Sequence, residues 1–106
     1  MPCSSNVCET RIIHRPSARI IEMLIARMDT MAKEQVSNRS WDAVGLVMHN
    51  LSSLFAYADV AEKAATVTIA EIRGICPQHF AMLAIFGDTA SVETAMNTIR
   101  KLSAGE

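Results

Sequence analysis

Apolar residues in the second part of the chain follow patterns that predict alternating strands and helices. Residues 43–48 form a continuous apolar run of strand length, and residues 80–86 form another. Residues 66–72, which are rich in β-branched side chains, predict a third strand. After the first of these runs, apolar residues recur at helical spacing, so a helix is expected to turn six of them toward a core. They are Leu51, Leu54, Phe55, Ala58, Ala61 and Ala65.

A loop and a last helix complete the predicted pattern. Gly74-Ile75-Cys76-Pro77-Gln78 is expected to be a loop, because glycine and proline interrupt regular structure there. Gly87-Asp88 precedes a final helix, whose apolar side comprises Val92, Ala95, Met96, Ile99 and Leu102. This order predicts an α+β fold with helices packed on an antiparallel sheet. Because neither apolar strand alternates with polar residues, both sheet faces should be partly covered, and self-association would contribute to that cover.

Residues 1–40 carry weaker signals. Residues 1–9 are interpreted as a flexible polar tail, and residues 10–106 as a single domain. Residues 10–14 are compatible with a short strand, which Arg15-Pro16-Ser17 ends in a turn. Residues 18–26 fit either a buried strand or the start of a helix. Residues 28–36 predict a helix that stops at the polar run that follows it.

Composition narrows the classes of partner and the cellular location. The chain has 106 residues and a net charge of −1, so neither nucleic acid nor a membrane is favoured as a partner. Residues 1–11 lack the basic and apolar regions of a secretory signal, and residues 18–26 are too short to span a bilayer. A cytosolic location is therefore expected. There, the odd number of cysteines (Cys3, Cys8 and Cys76) indicates free thiols or metal ligands rather than disulfides.

Few residues are spaced for chemistry. No catalytic triad, carboxylate pair or phosphate-binding loop is recognisable, so an enzyme is not expected. His14, His49 and His79 have no ligand spacing, and only His79 lies next to the predicted loop. The spacing of Cys3 and Cys8 is no specific metal signature, and both fall in the predicted tail. Cys76, followed by a proline that stiffens the turn, is the main candidate for a metal ligand.

Three short motifs occur in order along this pattern. Residues 43–47 read Ala-Val-Gly-Leu-Val, residues 58–67 contain A-D-x-x-x-K-x-A-x-V, and Gly87-Asp88 is followed by Ser91-Val92 and Ala95. In this order and spacing they resemble the bacterial microcompartment shell domain, abbreviated BMC, over more than half the chain. The resemblance implies a non-enzymatic shell subunit that forms homohexamers and assembles with other shell proteins around enclosed enzymes. It also implies that Lys63 lies at the edge where hexamers meet.

The placement of residues 18–36 before the domain resembles a subset of this family. In the circularly permuted shell subunits of propanediol and ethanolamine compartments, a strand–helix unit stands first instead of last. In those relatives a short N-terminal strand from each subunit adds to a small β-barrel over the pore. Residues 11–14 are the corresponding piece here, so the resemblance implies a barrel strand at that position.

The predicted loop departs from the common family pattern, which is a short Gly/Ser pore loop. Gly74, Ile75, Cys76 and Pro77 would line the pore instead, and Thr66 replaces a frequent asparagine near the hexamer edge. A Cys-Pro pore loop resembles the shell protein of the glycyl-radical propanediol compartment, a subfamily associated with an iron–sulfur cluster. The resemblance therefore implies a cluster, of the 4Fe–4S type, bound through Cys76 thiolates from several subunits of one oligomer.

Two other functions fit the residues alone. A small cytosolic α+β oligomer of the ligand-sensing or regulatory kind, without a cluster, uses similar strand–helix units. An electron-transfer protein in its own right would need oligomerisation, because one loop cysteine cannot hold a cluster.

Overall fold

The computed structural model describes residues 8–37, 39–73 and 80–105. Its elements are β1 (Glu9–His14), α1 (Ala18–Ile25), α2 (Thr30–Ser37), β2 (Ala43–Asn50), α3 (Leu51–Ala64), β3 (Thr68–Ile72), β4 (Phe80–Gly87) and α4 (Thr89–Ala104). The strands form one antiparallel sheet in the order β1-β2-β4-β3. The predicted α+β fold, with helices on an antiparallel sheet, is confirmed.

The two continuous apolar runs are the two central strands. β2 and β4 pair along their whole length, from Ala43 opposite Gly87 to Asn50 opposite Phe80. Buried side chains lie on both faces of this pair: Val47, Leu83 and Ile85 belong to a core with α3 and α4, whereas Val44 and Phe86 belong to a core with α1 and α2. Cover on both faces explains why neither strand alternates with polar residues.

Helix α4 lies close to the sheet because β2 carries a glycine beneath it. A Cβ atom at Gly45 would lie 2.5 Å from Met96 Sδ, so no larger residue fits without movement of α4 or of Met96. The helix begins at Asp88, whose Oδ1 accepts a hydrogen bond from the Ser91 backbone N–H at 2.7 Å. This N-cap satisfies a backbone donor that the helix itself cannot pair.

The predicted core-facing side of α3 is wrong at two positions. Leu54 and Ala61 are buried as predicted, and so is Tyr57, which the pattern did not include. Leu51 and Phe55 remain 44% and 65% exposed. The six predicted residues span a wider arc than one sheet face can cover, because each successive residue turns the helix by about 100°.

The first part of the chain adds one strand to the sheet and two helices to one of its faces. Residues 18–25 are helical, which resolves the ambiguity left by the sequence: the Ser17 hydroxyl accepts a hydrogen bond from the Ile20 N–H at 3.3 Å and caps α1. The expectation that residues 18–36 form a strand–helix unit is therefore wrong in its first element. α1 and α2 instead pack on the sheet face opposite α3 and α4.

The strand of this region is β1, which starts at Glu9. It pairs with β2 from Glu9 opposite Met48 to His14 opposite Ala43, and the Arg15 N–H then donates to the Asp42 carbonyl at 2.6 Å. Residues 11–14 were expected to supply a barrel strand over a pore. In the subunit their backbone groups on one side pair with β2, which makes them the edge strand of the main sheet. The barrel, which would need strands from several subunits, stays a prediction.

Candidate functional site

The predicted pore residues Gly74, Ile75, Cys76 and Pro77, together with His79, lie outside the described residues. The structure describes the two strands on either side of them, β3 and β4. β3 ends at Ile72, which lies opposite Met82, and β4 starts at Phe80, which lies opposite Asn50. The chain therefore leaves and re-enters the sheet at one end, which we call the loop end. β1 begins and β2 finishes at the same end.

The position of the chain just before this segment is held by the connection between α1 and α2. The Arg73 N–H donates to the Arg27 carbonyl at 2.9 Å, and Arg27 Nη1 donates to the Arg73 carbonyl at 3.4 Å. Asp29 Oδ2 lies 4.0 Å from Arg73 Nη2. These contacts join residues far apart in sequence, so the point at which the chain enters residues 74–79 is set by the tertiary fold.

His49 lies buried at the loop end of β2. Only 3% of its surface is exposed, and its Nδ1 accepts a hydrogen bond from the Asn50 backbone N–H at 2.7 Å. A ring that accepts at Nδ1 carries its proton on Nε2, and Nε2 has no hydrogen-bond partner among residues 8–37, 39–73 and 80–105. The ring meets the Tyr57 ring edge-on, with centroids 5.8 Å apart. Sequence reasoning gave His49 no role, because it has no ligand spacing, and its burial was not predicted.

Cys8 lies at the loop end as well, and it is half-buried. Its side chain packs against the apolar core formed with α3 and α4. Cys3 lies outside the described residues. Within residues 8–37, 39–73 and 80–105, no three His, Cys, Asp or Glu side chains come together as a metal site.

Lys63 lies at the opposite end of the subunit from the loop. α3 starts next to Asn50 at the loop end and runs for about 18 Å before it reaches Lys63. Lys63 Nζ donates a hydrogen bond to Asp59 Oδ2 at 2.8 Å, and the side chain is 74% exposed. The hydrogen bond to Asp59, together with the negative charge of that carboxylate, raises the pKa of Lys63. A protonated, solvent-facing lysine is thus held at the end opposite the loop end, which we call the outer end.

The outer end also carries an open cleft of about 620 Å³ that sequence reasoning missed. The Arg39 guanidinium lies 4.4 Å from the centre of the Trp41 ring and donates to Thr68 Oγ1 at 3.1 Å. Trp41 Nε1 donates to the Val36 carbonyl at 3.1 Å, which fixes the indole against α2. Polar residues that are distant in sequence therefore line the surface on the same end as Lys63.

The fold and the motif spacing define a class of protein. The BMC domain matches residues 43–106, more than half of the chain, and the chain belongs to this family of microcompartment shell proteins. Two solved structures are similar over most of their length. Against the ligand-free GrpU microcompartment shell protein from Pectobacterium wasabiae the identity is 38% and the TM-score 0.70, with 87% of this chain and 99% of that chain covered. Against the ligand-free GrpU microcompartment shell protein from Clostridiales bacterium 1_7_47FAA the identity is 41% and the TM-score 0.67, with 91% of this chain and 92% of that chain covered. No curated protein matches the chain.

Family membership confirms the predicted shell-protein class and its structural, non-enzymatic role. Shell proteins act by associating with copies of themselves and with other shell proteins, inside the bacterial cell. The alternative of a ligand-sensing or regulatory oligomer has no support from these comparisons. Within the described residues, no helix is long and apolar enough to cross a membrane.

Proposed function

We propose that this shell subunit closes into a homohexamer whose central pore is lined by residues 74–78 and holds one 4Fe–4S cluster through Cys76. The observation that supports it best is the topology of the sheet, in which the chain enters and leaves residues 74–79 at the loop end. A cyclic ring brings every copy of a residue near its axis to one small volume. One thiol per chain then becomes a ring of thiols.

The donor chemistry of the chain fits a cluster shared between subunits. Thiolates are the usual ligands of iron–sulfur clusters, and a cubane cluster takes four of them. One chain has a single cysteine in the predicted loop, while Cys8 packs against the core. Four of the six Cys76 side chains in a hexamer would bind, so two would remain unligated. The bound cluster would supply one-electron transfer at the shell.

Lys63 completes the proposal at the other end of the subunit. If residues 74–78 face the ring axis, the outer end that carries Lys63 faces away from it, because α3 runs from one end to the other. Its exposed ammonium would then meet neighbouring rings in the shell. The arrangement of Lys63, Asp59 and the Arg39–Trp41 stack at one end supports this placement.

Iron and sulfide analysis of anaerobically purified protein tests the cluster. The wild type should bind iron and acid-labile sulfide, and Cys76→Ser should lose both while it keeps its oligomeric state. A Cys3→Ser, Cys8→Ser double variant is the matched control and should keep its iron. Iron loss in the control would mean that the tail builds the site. A wild type that binds no iron when iron is supplied would leave Cys76 as a pore-lining residue of a metabolite gate.

A further inference from the structure

Helix α3 exposes an apolar pair that its own sheet does not use. Leu51 is 44% and Phe55 65% exposed, and the two lie one helical turn apart on the same side. Residues 51–58 include no charged side chain. With roughly 200 Å² for a full aromatic side chain, Phe55 alone offers on the order of 130 Å² to a partner. We call Leu51 and Phe55 the α3 knob.

A shallow apolar groove lies on the other face of the sheet, also at the loop end. Leu46, Met48 and Met82 form its apolar wall, and its volume is about 100 Å³. The two charged residues beside it form an ion pair, in which Arg11 Nη2 lies 3.5 Å from Glu9 Oε2. We call this the sheet groove. Its charges are already paired, so it suits an uncharged apolar partner.

The knob and the groove lie on opposite flanks of the subunit. The groove adjoins β1, which is one edge of the sheet, whereas α3 packs over β2, β4 and the other edge strand, β3. The sheet itself separates the two, so they cannot meet within one chain. Complementary patches on opposite flanks make a head-to-tail contact, and repetition of such a contact closes a ring.

We propose that the α3 knob of one copy packs into the sheet groove of the next copy. This inference rests on the ring proposed above and adds the contact that would close it. Leu51 follows Asn50 directly, and the groove includes Met48, opposite Glu9, so both patches lie at the loop end. The contact would therefore bring together the ends of the sheets that carry residues 74–79, and a shared thiol site would be incomplete without the second copy.

Native mass spectrometry of charged variants tests this contact. Phe55→Asp disables the knob and Met48→Asp disables the groove, and each should weaken subunit association more than roughly 30-fold, as expected for a central contact of an interface. Met31→Asp is the matched control, since Met31 is 72% exposed on α2 and belongs to neither patch. It should leave the oligomer unchanged. Circular dichroism should show that all three remain folded.

A mixture of the two disabled variants gives a sharper result. Phe55→Asp subunits keep an intact groove, and Met48→Asp subunits keep an intact knob. Together they should form dimers through one intact contact and stop there, under conditions in which each variant alone is monomeric. Absence of those dimers would contradict direct pairing of knob and groove.

Failure of the inference can be told apart from failure of the ring. If the wild type forms no ring, both proposals are wrong. If the wild type forms a ring and Phe55→Asp or Met48→Asp forms it equally well, the ring stands and this contact is wrong. Loss of the ring in Met31→Asp would also overturn the inference, because any surface charge would then have the same effect.

Discussion

The close approach of α4 to the sheet at Gly45 predicts a defined loss of stability. An alanine there would place its Cβ 2.5 Å from Met96 Sδ and 2.8 Å from Met96 Cγ, well inside van der Waals contact. Met96 is fully buried, so its side chain must find a new rotamer within a packed core. Overpacking of this kind costs about 1–3 kcal/mol. For a domain of this size that corresponds to a fall in Tm of about 4–8 °C per kcal/mol.

Denaturant unfolding measures this loss in the free energy of unfolding. The protein concentration must be the same for every variant, because subunit association also contributes to apparent stability. Gly105→Ala is the matched control: the nearest atoms to its Cβ lie at 3.7 Å and its φ is −83°, so little change is expected. In a Met96→Ala background the additional cost of Gly45→Ala should largely vanish, since the clashing atoms are gone. A Gly45→Ala protein as stable as wild type, or a cost that persists in the Met96→Ala background, would refute the reasoning.

Two further predictions concern the outer end of the subunit. Asp88→Ala removes the N-cap of α4 and should lower the free energy of unfolding by about 1 kcal/mol, whereas Ser91→Ala, which keeps the bond from the Ser91 N–H to Asp88 Oδ1, should lose less. Equal losses in denaturant melts would contradict the capping role. Lys63→Ala should leave single rings intact in electron micrographs but weaken the sheets or tubes they form. Lys101→Ala, an exposed lysine near the other end of the subunit, is its control, and rings that fall apart on loss of Lys63 would show the edge placement to be wrong.

The sequence alone determined the elements whose signals are local and strong. The apolar runs at 43–48 and 80–86 predicted β2 and β4, because strands buried on both faces need no polar alternation. Helical spacing of apolar residues after Asn50 and after Gly87-Asp88 predicted α3 and α4. The motif spacing across these elements sufficed to indicate the shell family, which the comparisons confirm.

Local signals failed where a residue's environment comes from distant parts of the chain. Residues 18–26 read equally as strand or helix, and the buried cluster that Leu24 forms with residues of β2, β3 and β4 lies far away in sequence. The Ser17 cap of α1 is a local signal that sequence reasoning missed. Residues 11–14 carried no sign of their partner, because pairing with β2 joins segments some thirty residues apart. Strand pairing depends on the tertiary arrangement that brings two distant segments side by side. A short segment does not encode that arrangement.

The candidate site shows the same division. Cys76 stood out by residue type, and Lys63 by its motif, so the sequence could nominate both. Only the tertiary structure decided that Lys63 lies at the end of α3 away from the loop, and that β3 and β4 carry residues 74–79 at the other end. Likewise, the apolar stripe of α3 predicted burial for Phe55, but the stripe spans a wider arc than one sheet face covers. The hydrophobic pattern indicates that a side chain favours burial, whereas packing decides whether the surface that buries it belongs to the same chain.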